Sequence, residues 1–284
     1  MPSSARTLLL TTLAMLAFAA NSLLCRLALQ HPLIDPASFG SVRLACGSLV
    51  LGLMMRLQAG HAAKGKADWL AAATLFAYVA CFSFAYLTLS AGTGALILFG
   101  AVQVTMIGVG LRAGESFPLR AWAGLLLAVG GLVYLVSPGL SAPPLMGAAL
   151  MAAAGVAWGV YSMRGRGVSD PLLASARNFL RATPLALGLS LLTVTGAHAS
   201  LMGVALAVAS GALTSGIGYV IWYAALKGLT AMRAATVQLS VPPIAAFGGA
   251  LLLGEAITPR LALASAAILG GIALVLSSRA RRSA

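Results

Sequence analysis

GESFPLRAWAGLLLAVGG at residues 114–131 and GEAITPRLALASAAILGG at residues 254–271 carry the same punctuation 140 residues apart. Gly114-Glu115, Arg120 and Gly130-Gly131 recur as Gly254-Glu255, Arg260 and Gly270-Gly271, all at that one offset. In each copy a short polar joint leads into an apolar run. Phe18 and Trp158 stand at the same offset, and Asp35-Pro36 followed by Arg43 is echoed by Asp170-Pro171 followed by Arg177. Five identities at one shift, all at one helix joint, mark an internal repeat of two halves, residues 1–139 and 140–284.

The composition says what solvent those halves live in. Of 284 residues, 60% are hydrophobic and 8% charged, against about 25% charged in a soluble domain. This excludes most soluble enzymes, nucleic-acid binders and disordered chains. Ten runs are long and apolar enough to be read as spans: residues 8–29, 36–57, 69–90, 92–112, 119–137, 145–163, 172–195, 201–226, 232–253 and 261–278. The expected fold is therefore an all-α integral membrane protein with ten transmembrane helices. A barrel would need alternating apolar and polar residues. Ala17-Phe18-Ala19 resembles a signal-peptidase site, but apolar character resumes through 23–29, so the first helix is expected to be retained.

There are 18 Lys+Arg against 5 Asp+Glu, a net charge of +13. With both termini in the cytoplasm, thirteen basic residues fall inside: Arg6, Arg56, Lys64, Lys66, Arg112, Arg120, Arg164, Arg166, Lys227, Arg233, Arg279, Arg281 and Arg282. Arg26 and Arg260 fall outside, and Arg43, Arg177 and Arg181 lie within spans. Basic residues hold loops on the cytoplasmic side, so the bias sets the orientation. Each half holds five spans, an odd number, so the second half enters from the opposite side. Inverted repeats of this kind build many alternating-access transporters.

Ten helices in two five-helix halves with a Gly-Glu joint before the last helix of each resemble the drug/metabolite transporter superfamily, in its EamA-like branch. Pro242-Pro243 through Gly254-Glu255 to Gly270-Gly271, and Asp35-Pro36-Ala37-Ser38-Phe39 to Arg43, carry the likeness. The first helix departs, with Phe18 to Asn21 where relatives often show Trp-Gly-Ser/Thr-Asn. Within the branch the chain is similar to YddG-type aromatic amino-acid exporters. The resemblance implies export of amino acids or related metabolites across a bacterial inner membrane.

Residues three or four apart share a helix face. Tyr78, Phe82 and Tyr86 form such a set, as do Trp158 with Tyr161, Phe99 with Gln103, and Tyr219 with Trp222 and Tyr223. Phe18 and Asn21 occupy the repeat positions matching Trp158 and Tyr161. Asn178 and Gln238 complete the candidate substrate-binding residues, because amides facing lipid are costly. Such rings stack on an aromatic substrate or hold its ammonium; they also serve as packing or interfacial belts, and amides also join helices. Pro184, Pro242 and Pro243 are candidate hinge or gating positions. Arg43, Arg177 and Arg181 either recognise an anion or snorkel to the interface; their nearness to helix ends favours snorkelling. Glu115 and Glu255 fit a helix-end structural or gating role.

No phosphate-binding loop and no metal-spaced set of ligands is visible, so no metal or cofactor is expected, nor enzymatic activity. All five acids map near span ends, leaving none to couple protons from the membrane interior. The expected partners are a small-molecule substrate and the lipid bilayer, with the chain a monomer and no nucleic acid bound. Multidrug, sugar-phosphate and nucleotide-sugar transport are alternatives within the superfamily; a non-transporting scaffold is the alternative outside it.

Overall fold

A backbone surrounded by lipid must satisfy its own N–H and C=O groups, and the helix does so within one segment. The computed structural model describes residues 4–57, 68–113, 118–137, 142–229 and 231–277. Among these, every regular element is helical, with one isolated bridge between Ile34 and Ala199. The elements are α1 (Ser4–Gln30), α2 (Pro36–Leu57), α3 (Trp69–Ala85), α4 (Ala91–Arg112), α5 (Leu119–Val136), α6 (Leu145–Gly165) and α7 (Pro171–Leu192). Then come α8 (Leu201–Ala209), a π-helical segment (Ser210–Ile217), α9 (Gly218–Leu226), α10 (Ala231–Val237), a 3-10 turn (Gln238–Ser240), α11 (Val241–Leu253) and α12 (Pro259–Ser277). Six runs are long and apolar enough to cross a membrane: Ala5–Gln30, Pro36–Leu57, Ala91–Arg112, Leu145–Gly165, Leu201–Leu226 and Arg233–Leu253. Trp69–Ala85 and Leu119–Leu135 are apolar but shorter. Gly114, Glu115, His61, Lys64, Lys66, Arg279, Arg281 and Arg282 lie outside the described residues.

The burial pattern is that of a membrane protein. Leucines such as Leu119, Leu192 and Leu201 stand exposed, while Arg43, Ser162, Ser175, Ser210, Ser215 and Gln238 are fully buried. The principal packed pairs are α5 with α12, α2 with α7, α3 with α6, α4 with α6 and α11, and α1 with α9 and α11. The π-helical segment packs on α2 and α1. Gly211 there faces the backbone of α2 at Arg43, leaving no room for a Cβ.

Every described acid serves a helix N-terminus, where unpaired N–H groups and the helix dipole favour negative charge. Asp35 accepts from the Ser38 N–H of α2 at 2.9 Å, Asp68 from Ala71 of α3 at 3.0 Å, and Asp170 from Leu173 of α7 at 3.0 Å. Glu255 reaches across the bundle to the Ala91 N–H that opens α4, at 2.8 Å.

Asp35 also accepts from the His198 N–H at 3.2 Å, tying the α1–α2 joint to the segment before α8. Burial pushes its carboxyl up, but the Ser38 and His198 donors outweigh this and hold it below the usual carboxylate range. A depressed folded value contributes stability that is complete above the unfolded value, about 3.9, and is lost as pH falls through the folded one. Asp35→Ala is expected to cost about 1 kcal/mol near neutral pH, as for an N-cap. The gap to wild type in thermal unfolding should close below about pH 4. A gap that is the same at every pH would show that the carboxylate charge plays no part.

Candidate functional site

The π-helical segment and α2 together build the centre of the molecule. Arg43, on α2, is fully buried. Its Nε donates to Ser215 Oγ at 2.8 Å, and its Nη2 to Tyr219 Oη at 2.7 Å and Tyr78 Oη at 3.3 Å. Its guanidinium carbon lies 5.2 Å from the Tyr78 ring centroid and 5.1 Å from that of Phe82, within cation–π range. Nη1 has no hydrogen-bond partner. Snorkelling, the role favoured from sequence, does not describe Arg43; packing of the π-helical segment over α2 encloses it.

Beside Arg43, Asn21 on α1 donates to Tyr78 Oη at 3.4 Å. Its carbonyl accepts from Ser210 at 2.7 Å and from Thr214 at 3.1 Å. A π-turn widens the helix by one residue and is common at functional sites. Here it aims Ser210 and Thr214 at Asn21, and Ser215 at Arg43.

Around this polar core the rings gather. Trp158 centres the cluster, with centroids 4.7 Å from Tyr219, 5.0 Å from Tyr78, 5.1 Å from Phe18 and 5.5 Å from Tyr161. Its Nε1 donates to Gln238 Oε1 at 2.8 Å. Gln238 in turn donates to the Ala234 carbonyl at 3.0 Å. Phe18 also meets Trp222 at 5.6 Å and Phe99 at 6.5 Å. Trp222 donates to Ser162 at 3.2 Å, and Tyr223 to the Tyr161 carbonyl at 3.2 Å.

Two expected members stand apart. Tyr86 meets Phe82 edge-on at 4.7 Å, but its hydroxyl donates to the Ala91 carbonyl at the α3–α4 joint. Gln103 donates to the Ala235 carbonyl, joining α4 to α10, and makes no hydrogen bond within the ring cluster. α7 runs through Pro184. Pro242 and Pro243 occupy the first turn of α11, behind the 3-10 turn Gln238–Ser240. A proline lacks the N–H and crowds the carbonyl four residues back, so the tightened turn falls at Gln238 and Leu239, beside Trp158.

One end of the bundle holds a cavity of about 350 Å³ lined by Asp68, Arg164, Asp170, Arg177, Asn178, Arg181 and Tyr223, among others. Arg164 and Asp68 pair across it at 2.7 Å. Burial pushes the Asp68 carboxyl up, and Arg164 with the Ala71 and Leu70 N–H groups more than offsets this, holding it below the usual range. Arg181 stacks on Trp69 at 5.8 Å and donates to the Arg177 carbonyl at 3.1 Å. Asn178 and Tyr223 are buried and lead inward: Tyr223 lies 5.2 Å from Tyr161, and Tyr161 lies 6.1 Å from Tyr219, whose hydroxyl meets Arg43. At the opposite end, Arg26 Nε donates to Glu255 Oε1 at 3.0 Å and its Nη1 to the Tyr86 carbonyl at 3.0 Å.

The model of the EamA-like transporter family matches residues 145–277. An uncharacterized protein of Pseudomonas aeruginosa is 54% identical over 283 residues, covering 98% of this chain and 97% of that protein. Over residues 145–277 the chain is similar to the EamA-like transporter family. A solved crystal structure shares the fold, with a TM-score of 0.72 at 20% identity, over 99% of this chain and 100% of its own. That likeness, with six helices among the described residues long and apolar enough to cross a membrane, describes a multi-pass membrane protein. Arg43, Ser210, Thr214 and Ser215 hold the centre; the three hydroxyl residues were not among the candidate binding residues, and Arg43 was weighed there between anion recognition and snorkelling. A signal for three of them is visible: Ser210, Thr214 and Ser215 cluster in the middle of an otherwise apolar run.

Proposed function

We propose that the chain is a secondary or facilitative transporter that exports amino acids, aromatic ones among them, or related small metabolites by alternating access. The observation that carries this reading is the buried ring cluster around Trp158, set with Asn21, Gln238 and Arg43. Flat apolar walls with a few placed polar groups suit a small amphipathic substrate.

Helix packing supports the proposed inverted repeat. At the 140-residue offset, α1 corresponds to α6, α3 to the α8–α9 run, α4 to the α10–α11 run and α5 to α12, and at a slightly smaller offset, Pro36 to Pro171, α2 corresponds to α7. Under that exchange the pairs α3 with α6 and α1 with α9 trade places, as do α4 with α6 and α1 with α11. The pairs α2 with α7, α5 with α12 and α4 with α11 map onto themselves. Ten spans in two five-helix halves, residues 1–139 and 140–284, account for this. The basic-residue bias supports cytoplasmic termini in a bacterial inner membrane. The cavity then faces the cytoplasm, the loading side for an exporter, and Arg26–Glu255 closes the outer end.

The test is counterflow of labelled amino acids by the purified protein in liposomes, with and without a proton gradient. Saturable exchange of an aromatic amino acid is expected, unchanged by the gradient, because the four described acids are all engaged at helix N-termini. No saturable flux of any amino acid or related metabolite would overturn the reading. Sugar phosphates are the second reading, favoured by Arg164, Arg177 and Arg181 around the cavity. In the same assay, stronger competition by a sugar phosphate than by an aromatic amino acid would select it.

A further inference from the structure

We propose that Arg43 is the receptor for a substrate carboxylate, so that the transported class is monocarboxylates with a flat apolar body and lipophilic cations are excluded. This rests on the transporter reading for its cycle and narrows it to one chemical class.

A guanidinium has five N–H donors. In Arg43 the Nε hydrogen goes to Ser215, and Nη2 serves Tyr78 and Tyr219. The two hydrogens on Nη1 have no acceptor, in a residue with no exposed surface. None of its partners carries negative charge: they are three hydroxyls and two ring faces. The described carboxylates are all engaged at helix N-termini elsewhere. An arginine cannot shed its proton to relieve this, so a permanent positive charge sits in the interior uncompensated. Charges kept at that cost within membrane spans mark ligand or ion sites.

The fork of a guanidinium matches the two oxygens of a carboxylate. The phenol oxygens of Tyr78 and Tyr219 accept from Arg43, and since the two hydroxyls also meet each other, one of their protons is left to serve as a further donor. One guanidinium balances one carboxylate. A phosphate monoester carries a charge nearer two, and the arginines that would balance it, Arg177 and Arg181, line the separate cavity. A cationic drug would be set against the guanidinium itself. The rings of Phe18 and Trp158, set edge-on or tilted beside Tyr78 and Tyr219, supply the apolar wall.

The experiment uses four probes that share one ring: phenylalanine, phenylpropionate (acid without amine), phenylalaninamide (amine without acid) and phenyl phosphate. Each is tested with the full-length protein for thermal stabilisation in detergent and for inhibition of counterflow in liposomes. The two carboxylates are expected to bind at least about tenfold more tightly than the amide or the phosphate. In Arg43→Gln that preference should shrink to about twofold or less, with Arg43→Lys intermediate because it keeps charge but loses the fork. Should Arg43→Gln not fold, Tyr219→Phe keeps the charge and is expected to weaken both carboxylates by about fivefold, leaving the amide unchanged. Equal binding of the amide by the wild type, preference for the phosphate, or undiminished carboxylate preference in folded Arg43→Gln would each overturn the proposal. Arg43-dependent stabilisation by carboxylates without any flux would keep the receptor and sink the transporter reading. Flux indifferent to the carboxylate would do the reverse, and neither flux nor stabilisation would sink both.

Discussion

Trp158→Ala is expected to abolish saturable flux and to lower the thermal unfolding midpoint. Its ring contacts four others, Phe18, Tyr78, Tyr161 and Tyr219, so its removal opens a void at the point where α1, α3, α6 and α9 meet. Truncating a buried Trp to Ala costs about 3–5 kcal/mol. It also strands the Gln238 Oε1 that accepts from Nε1, and an unpartnered buried acceptor costs about 1–3 kcal/mol by itself. Trp158→Phe separates the two effects. It keeps an aromatic wall and loses the N–H, so it should show only the smaller loss, about 1–3 kcal/mol for the stranded acceptor, and retain reduced flux. Wild-type flux in Trp158→Ala would remove the residue from the binding site, whatever the change in stability.

Glu255→Ala should produce the second large effect, at the end of the bundle opposite the cavity. Gly254, the one described residue with a left-handed backbone, φ 64°, ends α11 and turns the chain so that Glu255 points back across the bundle. The carboxylate joins Arg26 of α1 to the first N–H of α4, and Arg26 also holds the Tyr86 carbonyl. Four elements therefore meet on one group. The side chains of the pair are 15% and 10% exposed, so the loss is set at about 2 kcal/mol, below that of a fully buried pair. On the proposed transport cycle, flux should fall because this pair no longer holds α1, α4 and the end of α11 together. The sharper test is a double-mutant cycle with Arg26→Ala. Much of the cost of Glu255→Ala is a stranded guanidinium, so the double variant should be more stable than additivity allows. Additive losses would show that the two residues do not act as a pair.

Helix positions are legible in the sequence because a long apolar run in lipid has essentially one backbone solution. The runs 36–57 and 201–226 coincide with helical runs end to end. The run 69–90 does not, because α3 stops at Ala85 and Ser90 caps α4 by accepting from Thr93; an all-apolar window hides that turn. Tyr78 and Phe82 are legible as one face from the helical period alone. Arg43 is not. It stands about two turns into α2, where a long side chain can reach the interface, and only the packing of the π-helical segment decides otherwise. Gln103 was legible as a buried amide, but its partner, a carbonyl of α10, is fixed by tertiary contact. Of the repeated Gly-Glu joint, Glu255 has a described role at a helix start, while Glu115 lies outside the described residues.

The π-helical segment Ser210–Ile217 has a consequence for how the chain tolerates insertion and deletion. It carries a surplus residue relative to an α-helix of equal rise, so all that follows is turned by about 100° from the phase α8 would otherwise impose. Tyr219, Trp222 and Tyr223 owe their inward facing to that offset. Deleting one residue from the segment would leave a regular, lipid-compatible helix with all three rings still turned to the centre, and the loss would fall on the Ser210, Thr214 and Ser215 hydroxyls that the wide turn aims at Asn21 and Arg43. Two homologues differing by that one position would keep the same ring wall and differ in the polar groups set against a substrate.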